Sequence, residues 1–138
     1  LERPQPDRDE LDVAAHDVQA ILLNGDSQAL QRACTAEGWK YVNQCYDFHL
    51  GALGFKGTFA DFMRDCGERM RASDPSDVVK ESFNDGTAVI YFDYSFSEGV
   101  TIAFCKRKGQ WRIAGFSPGR IAPESFFPAG SKYPAALK

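Results

Sequence analysis

Long apolar runs are missing from this chain of 138 residues, so no stretch of it reads as a membrane-spanning helix. Also missing is any Cys-x-x-Cys pair, and Cys34, Cys45, Cys66 and Cys105 fit no zinc spacing. There is no nucleophile elbow, phosphate loop or dinucleotide fingerprint. These gaps remove most metal- and cofactor-dependent enzymes, so no cofactor and no metal are expected. They leave cofactor-free chemistry or binding. A positive surplus is lacking too: the net charge of −3 argues against nucleic acid as the main partner. Internal repeats and low-complexity blocks are absent.

What is present is the composition of one globular domain, 43% hydrophobic and 25% charged. The expected layout is a flexible segment over 1–8, a domain over 9–118 and an extended tail over 119–138. Leu1–Asp9 is polar with Pro4 and Pro6, like a tether following a cleaved export signal, which makes export an expectation. In an oxidising compartment the four cysteines allow three pairings; otherwise they read as small buried apolar residues.

Four helices are predicted first. Leu11, Ala14, Ala15, Val18, Ile21 and Leu22 make one stripe over Arg8–Asn24. Ser27 is read as the cap of a short helix, Gln28–Cys34. Thr35 starts a third, with Trp39, Val42, Tyr46, His49 and Leu50 on one side and glycines 51, 54 and 57 after it. Thr58-Phe59-Ala60-Asp61 resembles a capping box opening a fourth helix, Phe59–Arg71.

Four antiparallel strands follow at Val78–Asn84, Thr87–Phe96, Val100–Arg107 and Gln110–Ser117, separated by turn sequences. A three-residue loop at Ser97–Gly99 sets Phe92 opposite Phe104. One face then holds Val79, Phe83, Ile90, Phe92, Tyr94, Phe96, Val100, Ile102, Phe104, Trp111 and Ile113 and must be covered. The other carries Lys80, Ser82, Val89, Tyr91, Asp93, Thr101, Ala103, Cys105, Ala114 and Phe116 among others. Its strip Tyr91, Ala103, Ala114 and Phe116 is expected to meet a second subunit, giving a homodimer. Lys106, Arg107, Lys108 and Arg112 read as a solvated hairpin tip. Past Pro118, the adjacent Phe126 and Phe127 are expected to dock in a groove.

Helices followed by a strand meander make an α+β domain: N-terminal helices packed on a curved four-stranded antiparallel sheet. Two stretches sharpen this, Ala20-Ile21-Leu22-Leu23-Asn24-Gly25-Asp26-Ser27-Gln28-Ala29-Leu30 and Lys106-Arg107-Lys108-Gly109-Gln110-Trp111-Arg112-Ile113-Ala114-Gly115-Phe116. Together they resemble the nuclear transport factor 2-like superfamily, the cystatin-like or α+β-cone domains, over about Asp9–Ser117. That resemblance implies a sheet wrapped on helices around a cone-shaped pocket. Such domains include cofactor-free isomerases, dehydratases and cyclases, and many that only bind.

The expected function is a non-catalytic domain binding a small apolar or amphipathic ligand, or a partner. The rival is a cofactor-free isomerase, dehydratase or cyclase using a His/carboxylate pair. His49 is the first candidate, because its stripe turns it inward and a desolvated imidazole can act as acid or base. Asp93 becomes a base only if the register slips by one, and Asp47 lies on a flank. His16 with Asp12 reads as a surface pair. Tyr46, His49, Phe92, Tyr94 and Trp111 are the expected ligand-binding set, apolar bodies of which most carry a polar handle.

Overall fold

The computed structural model describes residues 6–72, 78–84, 86–92, 99–119, 121 and 125–126. The elements run α1 (Pro6–Asn24), α2 (Ser27–Ala33), α3 (Ala36–Gly51), α4 (Phe59–Ala72), β1 (Val78–Asn84), β2 (Thr87–Phe92), β3 (Val100–Arg107) and β4 (Gln110–Pro118). The strands form an antiparallel meander in the order β1-β2-β3-β4. The α+β class is as the sequence implies.

The helices start where local chemistry satisfies their free N–H groups. Pro6 opens α1, where its fixed φ suits the first turn. Asp26, not Ser27, caps α2: its Oδ1 accepts from the Ala29 N–H at 3.1 Å. Thr35 caps α3 through the Gly38 N–H at 3.0 Å. Thr58 and Asp61 close a reciprocal box on α4, with bonds of 2.9 and 3.1 Å. Asp serves in place of Glu because the reach needed is short.

The stripes of α1 and α4 bury as expected, whereas Leu50, expected on the inward stripe of α3, stands 40% exposed. Leu11, Ala15, Val18 and Leu22 of α1 meet Phe62, Met63, Cys66 and Met70 of α4 in the same core as Ile90, Phe92, Val100, Ile102, Phe104 and Ile113 of the sheet. Gly67 of α4 lies so near α1 that an added Cβ would come within 2.9 Å of the Leu23 N.

The register differs from the expected one in three places. Phe92 pairs with Val100, and Ala88 is the residue opposite Phe104. The β2–β3 register is thus shifted by four residues from the expected one; because four is even, the faces are conserved. A shift between Ala103 and Phe104 then turns Phe116 to the helix side, opposite Ile102, where it is buried. A shift between Lys80 and Ser82 pairs Val79 with Tyr91 rather than placing it on the Ile90 row. Asp93, Tyr94 and Phe96 lie outside the described residues.

The second face is not bare. Val89 and Ala103 pack under Phe126, with Ile121 beside them. Thr101 Oγ1 donates to the Gly119 carbonyl at 2.6 Å and accepts from the Ile121 N–H at 3.1 Å, which fixes this segment across the sheet. Gly115 makes room, since a Cβ there would sit 2.3 Å from the Phe126 ring. The strip reserved for a second subunit is therefore occupied from within: Tyr91, Ala103 and Ala114 are each at most 2% exposed. Phe126 docks as expected, and Phe127 lies outside the described residues.

Helix α3 packs along β4. An added Cβ on Gly38 would sit 2.0 Å from the Ile113 carbonyl oxygen, so only glycine allows this approach. The Thr35 N–H donates to that same oxygen at 2.9 Å, and its hydroxyl at 3.3 Å. Further along, the Cys45 thiol donates to the Phe116 carbonyl at 3.2 Å. Outward-facing backbone acceptors of β4 are thus satisfied by a helix rather than by another strand.

Candidate functional site

The C-terminal half of α3 carries two faces with different fates. Tyr46 points into an aromatic cluster with Phe55, Phe59 and Phe62. Its hydroxyl donates to the Gly57 carbonyl at 2.9 Å and so closes the α3–α4 connection. One turn on, the half-buried His49 packs edge-on against Phe62, with centroids 5.1 Å apart. His49 Nδ1 lies 2.8 Å from the Cys45 carbonyl, which can only accept. Nδ1 therefore carries the proton, and in the neutral ring Nε2 is left as an acceptor.

His49 opens onto a groove of about 780 Å³. Tyr41, Gln44, Cys45 and Phe48 of α3 form one wall. Leu53 and Phe55 of the connection, Asp65 and Arg69 of α4, and Ser117 to Gly119 at the end of β4 complete it. The lining is mostly apolar, and Phe48 and Leu53 stand 58% and 60% exposed beside it. Asp65 and Arg69 pair across one helical turn at 3.3 Å. The connection is held by its own backbone: the Ala52 N–H donates to the Phe48 carbonyl and the Phe55 N–H to the His49 carbonyl, both at 2.8 Å.

Of the four expected ligand-binding residues that are described, His49 alone lines this groove. Tyr46 lies behind it among aromatic rings. Phe92 is a core residue under the helices. Trp111 sits toward the β3–β4 turn, where the Lys106 ammonium lies 5.8 Å from its ring centre. Tyr94 lies outside the described residues.

No family model, curated protein or solved structure matches the chain.

The chemistry of the groove follows from its own groups. Burial pushes the Cys45 thiol up to about 11, with the Ser117 hydroxyl opposing part of that rise. A thiol held protonated is no nucleophile near neutral pH. No group of three or more His, Cys, Asp or Glu among the described residues could hold a metal ion. No described helix is long and apolar enough to cross a membrane. What the groove offers is apolar surface, one imidazole acceptor, one amide, the hydroxyls of Tyr41 and Ser117, and one ion pair.

The sequence reading missed Phe48, Leu53 and Phe55 as lining residues. The signal was there in part: Phe48 lies off the inward stripe of α3, and an apolar side chain off that stripe must face something else.

Proposed function

We propose that the protein is a non-catalytic binding domain that takes a small apolar or amphipathic molecule into the groove beside His49. The observation that carries this is the exposure of Phe48 and Leu53 on the lining of one concavity. Two large apolar side chains bare to water on a single chain are unfavourable unless something covers them. The volume of about 780 Å³ suits a small organic molecule, and sparse polar groups in an apolar lining are the usual way to orient one. His49 Nε2 accepts a hydrogen bond from the ligand, and the Asp65–Arg69 pair marks the polar end. The order of helices and meander supports a nuclear transport factor 2-like architecture, with the ligand at the helix ends. The side chains between helices and sheet, Phe62, Met63, Ile102, Phe104 and Phe116 among them, are fully buried.

The rival enzymatic reading rests on His49 and Asp65 lining the same groove. It is the weaker of the two. Asp65 is exposed and faces Arg69, and the His49 Nδ1 proton is already given to a backbone carbonyl.

The neutral dye Nile red tests the binding reading by fluorescence titration. Leu53→Glu and Phe48→Glu should each weaken binding about tenfold, since removing one apolar contact costs about 1.4 kcal/mol or more. Melting temperatures should stay within a degree or two, because both side chains are exposed. Dye affinity unchanged in both variants would overturn the reading.

A further inference from the structure

At the other end of α3, about 20 Å from His49 along the helix axis, lies a second cavity of about 550 Å³. It is bounded by Cys34, Thr35 and Ala36 on one side and by Arg107, Lys108, Gln110 and Arg112 on the other. Three cations line it and no acid does.

Their surroundings differ from those of Lys106 and of the arginines on α4. Lys106, next in sequence, bonds Glu10 Oε2 at 3.0 Å. Arg64, Arg69 and Arg71 each face a carboxylate on α4. Arg107, Lys108 and Arg112 have no ion pair with any described residue. Arg112 is held in place by neutral acceptors instead: it donates to the Arg32 carbonyl and, at 3.4 Å, to Gln110 Oε1. Its guanidinium is thereby fixed at the wall with charge to spare. Lys108 adopts φ 51°, a turn geometry that brings its stem and that of Arg107 to the same concavity. Three like charges gathered in a chain of net charge −3 repel one another unless an anion sits between them.

We propose that this cavity binds a phosphate group. The two guanidinium groups present planar forks that match phosphate oxygens, and the ammonium adds a point charge. Gln110 supplies a neutral partner at the rim. The phosphate belongs to a soluble phosphorylated compound or to a lipid headgroup; the recognition chemistry is the same. The site is independent of the groove at His49 and of what that groove takes.

The test follows backbone amide NMR shifts of the whole chain during titration with inorganic phosphate, at constant ionic strength set with sodium chloride. Saturable shifts are expected at Ala36 and across 107–112. Arg107→Gln with Lys108→Gln should weaken binding at least about tenfold, as charged hydrogen bonds are lost. Both side chains are exposed, so the melting temperature of that variant should be unchanged. Arg112→Lys keeps the charge and loses the fork, and should also bind more weakly. Sedimentation with phosphatidylcholine vesicles containing phosphatidic acid separates the sources. Vesicles that carry down the wild type but not the double variant assign the phosphate to a headgroup. A chain left in the supernatant that still saturates with phosphate assigns it to a soluble compound. Shifts that grow linearly with phosphate without saturating, or saturation that survives in the double variant, would overturn the proposal.

Discussion

Burial pushes the Cys34 thiol up to about 12 and raises Cys66 further, against an ordinary value of 9.0. In both, loss of hydration is the main cause; nearby Arg112 opposes it at Cys34, and Asp65 adds to it at Cys66. A raised folded value means that the native state holds the proton after the unfolded chain has lost it. The stability from this source is complete below pH 9 and declines as pH rises through the folded values. Unfolding free energies from urea titrations at pH 8 to 11 should fall by about 1.4 kcal/mol per pH unit per thiol above 9. In Cys34→Ala/Cys66→Ala that alkaline slope should be shallower; an identical slope would show that other groups carry it. All four cysteines are free, and a thiol reagent at pH 8 should reach Cys66 only on unfolding. Positions on predicted apolar helix stripes made the burial of Cys34 and Cys66 legible in the sequence. His49 was legible in the same way: its stripe sends it to the groove wall, and the carbonyl it bonds is one turn back. Its neighbours across the groove were not, since they come from three other elements.

Helix α3 does at the edge of the sheet what a fifth strand would otherwise do. Periodicity gave its extent, and the Thr35 cap gave its start. Its contact with β4 could not be read, because nothing in the pattern of Gly38 separates a packing glycine from a weak helix residue. Gly38→Ala must drive a methyl group into the Ile113 carbonyl and should cost about 2–3 kcal/mol or more. Thr35→Ala removes both the cap and a hydroxyl bond to the strand and should cost about 1–2 kcal/mol. Chemical denaturation reads both, and a neutral Gly38→Ala would mean that α3 stands off β4. At the start of α4, hydrogen bonds from the Thr58 backbone and side chain hold Asp61 below its ordinary 3.8. This contribution is present above pH 4 and lost as pH falls through the lowered value. Amide exchange in the first turn of α4 should therefore quicken on acidification before the rest of the helix does.

The molecule buries both faces of its sheet with a single chain. The helix-facing half of that arrangement follows from alternation in β2–β4. The covered second face does not, because residues that cover it, Ile121 and Phe126 among them, lie beyond Pro118 in a stretch with no periodicity. The inward turn of Phe116 was hidden because Ala114-Gly115 looks like continuing strand and gives no sign of the register shift there, beside the glycine on which Phe126 sits. Phe126→Ala should cost about 3 kcal/mol and expose Val89 and Ala103. Concentration-dependent association in that variant, absent from the wild type, would show the uncovered face seeking a substitute. The bond between Thr35 and Ile113 spans 78 residues of sequence. During synthesis, at roughly 5–20 residues per second, α3 therefore emerges several seconds before the strand that accepts its narrow face. Through that interval Gly38, Val42 and Cys45 have no strand to meet. A chaperone that holds nascent chains would find its site there, and its release would be timed by the arrival of β4.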